Sequence, residues 1–371
     1  MRKSKYLLLP IILMLVFVLA QCSGLKLSPP TSTAVKRPSV DFRRAVKKLS
    51  TPWSIQRVSP VVSEDFIFQA TEAGLISFNK NGKKLWDFSV KGGVPGSPLY
   101  YQKKVFFGAH DGYFYCLSTE NGRLVWRQQV DHSVIAQPVI WKSFIYFITT
   151  GNELYALNVS TGKWLWHYKR GVPPHQVIIR GSAALALYDE SFYAGFADGY
   201  VAHLNAATGS VLWTKKIGGG VRFTDIMSVP YVDKKQVLVL DFEGELHSLD
   251  KISGRVLWKS SLGGIRFFTV TDGLIYVTTA NQEVAALKYD KGVVVWKQRI
   301  ESGSLTAPVV LEGLLYVGTA NGYLYILSSN NGHTVWRYRE KYGFSASPTV
   351  FGKKVYVFSN SSRLIVFTNN S

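Results

Sequence analysis

The sequence predicts an all-β chain: an eight-bladed β-propeller with four-stranded antiparallel blades, in which an N-terminal strand completes the last blade. Three regularities predict it. First, eight residues after Pro60, Pro98, Pro138, Pro308 and Pro348 stands an aromatic residue, Phe68, Phe106, Tyr146, Tyr316 or Tyr356. The same ruler runs from Leu185 to Tyr193, from Phe268 to Tyr276 and, with its one aliphatic ending, from Pro230 to Leu238, which makes eight units. Second, a Trp follows twenty residues later in six units, at Trp126, Trp166, Trp213, Trp258, Trp296 and Trp336, and eighteen later at Trp86. Third, paired turn signals lie between the aromatic residue and the Trp, such as Asp111-Gly112 with Asn121-Gly122 and Asn321-Gly322 with Asn331-Gly332. These dipeptides suit hairpin turns, whose central residues take positive φ. Each unit of roughly 40 residues thus holds three hairpin-linked strands after one further strand at the Pro, the pattern of a propeller blade and not of stacked helix pairs.

The N-terminal segment lies outside that repeat. Arg2, Lys3 and Lys5 precede an apolar run from Tyr6 to Ala20. At about 15 residues the run is shorter than the roughly 20 a spanning helix needs, and it fits the h-region of a secretory signal peptide. Leu19-Ala20-Gln21-Cys22 resembles the lipobox of bacterial lipoproteins, with Gln21 in place of the usual small residue. That resemblance implies removal of residues 1–21 and acylation of Cys22. At about 0.8 kcal/mol per buried CH₂, its acyl chains (palmitate among them) would hold the protein on a bilayer. Ser23, where an Asp would favour retention in the inner membrane, implies the outer membrane with the body facing the periplasm.

Residues 22–50 read as a basic tether: after Cys22 they carry seven Lys and Arg against the single acid Asp41, out of a formal +19 for the chain. The run RRAVKK, Arg43 to Lys48, suits anionic lipid head groups or an acidic partner. Nucleic acid is excluded by the export signal. Only Cys22 and Cys116 are present, so an acylated Cys22 leaves no intrachain disulfide, and Cys116 in the run YFYCL reads as a small buried hydrophobe.

The propeller is expected over residues 51–371. Its strands, such as YLYIL and ELYAL, are rich in Tyr, Val, Leu and Ile, and their Trp residues are placed to pack between blades. The last unit ends at Leu364-Ile365-Val366-Phe367 without a Trp strand, while Thr51-Pro52-Trp53 precedes the first unit with a Trp of its own. An N-terminal strand closing the ring removes the unpaired edges an open one would leave.

No catalytic motif stands out: there is no HExxH, P-loop, GxSxG or CxxC, and the run Gly218-Gly219-Gly220 lies between strands. His132, His167 and His203 are scattered, and Asp189-Glu190 and Glu243-x-Glu245 sit at hairpin turns. The expectation is a non-enzyme without metal or cofactor.

Irregularity is concentrated in two connections. The regular distance from a Trp to the next Pro is 12, but Trp166 to Leu185 is 19 and Trp213 to Pro230 is 17. Both flank the fourth blade and should emerge on one face. They contain GVPPHQVIIRG and GGGVRFTDIM, in which aliphatic residues stand beside Arg and Asp, a composition suited to docking another protein.

Units such as LYALN from Leu154 to Asn158, followed by Thr161-Gly162 and Trp166, resemble the repeats of pyrroloquinoline-quinone dehydrogenase propellers and of the BamB family, lipoproteins of the outer-membrane β-barrel assembly (BAM) machinery. The dehydrogenases carry a Ca²⁺ cage and often a pair of neighbouring cysteines, and the vicinal pair is absent here. The BamB resemblance covers the whole length and is closest from Ser261 to Trp296, where the short Leu262-Gly263-Gly264 entry, the missing Pro and the Asn281-Gln282 turn resemble that family's own irregular blade. It implies a scaffold role in the BAM complex, docking to a POTRA domain of BamA, with nascent outer-membrane proteins as further partners and the protein otherwise monomeric. It places the family's docking residues on Val177, Ile179, Arg180 and Gly181 in the first long connection and on Arg222 and Asp225 in the second. Met227 stands where the family often has a second Asp. An independent periplasmic glycan- or ligand-binding propeller and a quinone-dependent dehydrogenase are the alternatives.

Overall fold

The computed structural model describes residues 38–45, 58–170, 184–217, 224–260 and 262–368. Among them every regular element is a strand, and the strands form eight four-stranded antiparallel sheets. The chain is therefore an eight-bladed β-propeller. Seven blades run in sequence order, for example Leu99–Tyr101, Lys104–Gly108, Tyr113–Ser118 and Leu124–Gln129 in blade 2. The eighth takes its outer strand from the N-terminus: Ser39–Ala45 pairs antiparallel with Arg363–Thr368. This closing strand lies within the stretch read from the sequence as tether, upstream of Thr51-Pro52-Trp53, which falls outside the described residues. Arg43 and Arg44 thus belong to the blade. A register shift between Val40 and Phe42 turns Asp41 toward Lys354 Nζ and Thr368 Oγ1, each 2.6 Å from its carboxylate.

The core is divided into layers between blades. Eight apolar clusters each join one blade to the next, and the cluster of Ile67, Phe78, Tyr356 and Phe358 joins blade 8 back to blade 1. Thr349 Oγ1 also donates to Pro60 O across that closure at 2.8 Å. Successive side chains of a strand point to opposite faces. Phe106 accordingly faces blade 3 while Phe107 faces blade 1. Both faces are buried, which is why the middle strands are nearly continuous apolar runs.

Register explains the spacing rule. Phe106 pairs with Cys116 and Cys116 with Trp126; Tyr146, Ala156 and Trp166 form the same row in blade 3. Each row points toward the following blade, with the aromatic and Trp rings 5.6–6.1 Å apart in five blades. Cys116 is the small middle member of its row, fully buried, and burial pushes its thiol pKa up to about 12.

The Trp then docks on the next blade. Trp86 Nε1 donates to Thr119 O at 2.7 Å, and Trp126, Trp213 and Trp296 repeat the bond to Val159, Lys251 and Ser329. The ring lies against the glycine of that blade's last turn: a Cβ on Gly122 would come within 2.8 Å of Trp86, and one on Gly332 within 2.5 Å of Trp296. These glycines also hold φ near +70°, so they meet two demands at once.

Candidate docking face

Hydrogen bonds define two faces of the ring. On one, the residue after the outer strand of a blade meets that blade's middle hairpin: Val130 N donates to Gly112 O at 2.9 Å, Arg170 N to Asn152 O at 3.2 Å and Ile217 N to Gly199 O at 2.9 Å. Connections between blades leave from this face. On the other face the hairpin between the first two strands meets the last turn, as where Thr119 N donates to Lys103 O at 3.0 Å.

The described ends of the two long connections, Arg170 and Thr224, both rest on one hairpin of blade 4, residues 196–199. Arg170, where the first connection begins, places Nε 2.5 Å from Asp198 Oδ2, with the Arg side chain 17% and the Asp side chain 3% exposed. Its guanidinium also lies 4.1 Å over the Tyr200 ring. Where the second connection ends, Ile226 N donates to Phe196 O at 3.1 Å, and Ile226 forms a bridge with Asp241 of blade 5. A Cβ on Gly199 would come within 2.7 Å of Thr224 O. The roots of both connections therefore meet blade 4 on one face.

Of the residues singled out from the sequence, Cys22, Val177, Ile179, Arg180 and Arg222 lie outside the described residues. Asp225 is described, and it is fully buried at the root of the second connection, not exposed for direct contact. Met227 is half-buried and packs into the layer between blades 5 and 6.

Two polar clusters on the same face were not anticipated. Glu153, fully buried in the third strand of blade 3, accepts from Tyr155 Oη at 2.7 Å and pairs with Lys169 at 2.7 Å, while His132 and His167 each approach to 3.8 Å. Burial acts to raise its pKa, but the bonds from Lys169 and Tyr155 together outweigh burial and hold it below the ordinary value. In blade 5, Asp241, Glu245 and His247 bring one potential ligand atom each within 4.8 Å of one another. His247 Nε2 donates to Asp241 at 2.8 Å, and Lys259 Nζ lies 2.6 Å from Glu245, so these groups are satisfied without an ion. The signal was the alternation Glu153-x-Tyr155 and Glu245-x-His247, which sets neighbours on one side of a strand. His203 is the middle member of its row, stacked on Tyr193 at 4.4 Å, and burial lowers its pKa.

Ring, rows and repeats define a propeller of pyrroloquinoline-quinone-like repeats whose two long connections flank blade 4. The profile of the outer membrane protein assembly factor BamB family matches residues 71–250 and 243–370. The chain belongs to that family. Among curated relatives it is 34% identical over 139 residues to the BamB of Yersinia pestis and 30% identical over 139 residues to that of Escherichia coli strain K12. These matches span 36% of this chain and about a third of each relative, 35% and 36%. The crystal structure of BamB from Moraxella catarrhalis superposes with a TM-score of 0.76 at 22% identity, covering 90% of this chain and all of the other. A europium-containing methanol dehydrogenase gives 0.72 at 12% identity over 89% of this chain and 93% of its own, a likeness of fold alone.

Proposed function

We propose that the protein is a lipid-anchored, non-catalytic scaffold of outer-membrane β-barrel assembly, held through Cys22 on the periplasmic face of the outer membrane. Its two long connections dock a POTRA domain of BamA within the BAM complex. The observation that carries this reading is that both connections are rooted on the 196–199 hairpin of blade 4, on one face. Val177 and Ile179 fill an apolar notch of the partner, Arg180 donates to a carbonyl or carboxylate, and Arg222 flanks the contact. Asp225, being buried, supports the second connection from beneath. Family membership supports the assembly role, since relatives over the matched span are outer membrane protein assembly factors.

An Arg anchor at such an interface contributes about 2 kcal/mol or more, close to thirty-fold in affinity. Arg180→Glu is therefore expected to abolish co-purification with BamA from detergent-solubilised membranes and leave thermal unfolding unchanged. Undiminished co-purification of the Val177→Asp/Arg180→Glu double variant contradicts the assignment. Asp225→Arg is a poorer probe, because it places a new charge in a buried site.

A further inference from the structure

Blade 6 breaks the repeat where its first strand begins. In most blades a buried Pro stands one residue before the first strand, and Pro has no N–H. Blade 6 has Phe268 at that position, and its first strand extends back to Ile265. Among the described residues Ile265–Thr271, at seven residues, is the longest first strand; the corresponding strand of blade 5, Tyr231–Val232, has two. First strands are the inner edges of the sheets: those of blades 3 and 4, 4 and 5, 7 and 8, and 8 and 1 approach one another. The extension therefore adds an inner edge: Ile265 N donates to Gly244 O of blade 5 at 3.0 Å, and residues 266–271 make no backbone hydrogen bond outside their own sheet among the described residues.

Opposite this edge the chain entering blade 5 forms a fixed wall. Met227 N donates to Leu240 O at 2.7 Å, and Ser228 Oγ accepts from Leu240 N at 2.9 Å. Between wall and edge lies a cavity of about 460 Å³, within the size range of ligand sites. Its lining is mainly apolar, with Val229 54% and Phe267 44% exposed. Arg266, exposed on the cavity rim, makes no ion pair among the described residues. Apolar walls, an open strand edge and one available cation meet in one cleft.

We propose that the cleft between blades 5 and 6 binds an extended apolar peptide carrying a carboxylate. The peptide runs as an added strand beside residues 266–271, an apolar side chain fills the cavity between Val229 and Phe267, and the carboxylate pairs with Arg266. Main-chain bonds to a free sheet edge supply affinity that is indifferent to sequence, and the cavity and the cation select the side chain and the charge. The wall of the cleft, residues 227–230, is the blade-5 end of the second long connection, but Val229, Arg266 and Phe268 are not among the residues assigned to docking, so variants at these three positions test the cleft apart from that reading.

The test is fluorescence polarisation with a labelled peptide, Thr-Val-Thr-Val-Leu, as the free acid and as the C-terminal amide, on the full propeller. The free acid should bind saturably and the amide about tenfold more weakly. Arg266→Glu and Val229→Asp, both at exposed positions, should each weaken the acid by about tenfold or more. Phe268→Pro, which restores the residue most other blades carry, should do the same in protein that keeps the β-sheet circular dichroism of the parent. Equal binding of acid and amide, indifference to Phe268→Pro, or no saturation at ~1 mM peptide overturns the proposal. So does displacement of the peptide by laurate in a manner sensitive to Arg266 but not to Phe268→Pro, which would mark a fatty-acid site.

Discussion

At the scale of single residues, the Trp of one blade and the turn glycine of the next form one device. The indole covers the glycine and donates past it to a carbonyl, and the Phe or Tyr of the same row fills the space behind. Gly332→Ala would both strain a φ of +76° and press a methyl group onto Trp296. It should cost about 1–3 kcal/mol in denaturant unfolding, whereas Gly313→Ala, at a similar φ of +76° but in open space, should cost less. Glu153 gives a pH-dependent counterpart. Its pKa is depressed in the folded state, so its contribution to stability is full above the ordinary Glu value of 4.5 and is lost as pH falls through the lower folded value. Glu153→Gln should therefore be less stable than the parent by about 1–3 kcal/mol at pH 7, and the two should converge in acid. A constant difference from pH 7 to pH 3 contradicts this. The ruler residues were legible in the sequence because spacing alone sets them on a common row. Glu153 and the Asp241–Glu245–His247 group were not, because their partners come from different strands or from across a turn.

At the scale of elements, blade count and strand order followed from the turn dipeptides, and closure by an N-terminal strand from the missing Trp strand of the last unit, but which residues form that strand did not. Ser39–Ala45 carries no Trp and sits in a basic stretch, so its composition reads as tether; its place is decided by the open edge of Arg363–Thr368 three hundred residues away. Sheet edges left unpaired invite association with other chains. Deleting residues 38–45 should lower the melting temperature by about 5 °C or more and produce oligomers in size-exclusion chromatography. A monomer of unchanged stability would show that the strand is dispensable for closure. Asp41→Ala, which loses only the exposed pair with Lys354 and the bond to Thr368, should have a small effect by comparison.

At the scale of the whole molecule, a ring of near-identical units offers no distinctive surface except where the repeat is broken. It is broken at blade 4, by two long connections, and at blade 6, by a lengthened inner strand. The sequence located the first by counting residues, and the bonds from Arg170 to Asp198 and from Ile226 to Phe196 place the roots of both connections on one face. The missing Pro marked blade 6 as irregular, but the cleft was not legible, since it lies between two segments about forty residues apart that meet only when blades 5 and 6 pack together. The central claim is that blade 4 presents the partner-binding surface. It is tested most directly by photocrosslinking in whole cells from a probe at Ile179 and, as a control on the opposite face, at Lys103. The account predicts a BamA adduct from Ile179 and none from Lys103; adducts from Lys103 alone, or equally from both, would contradict it.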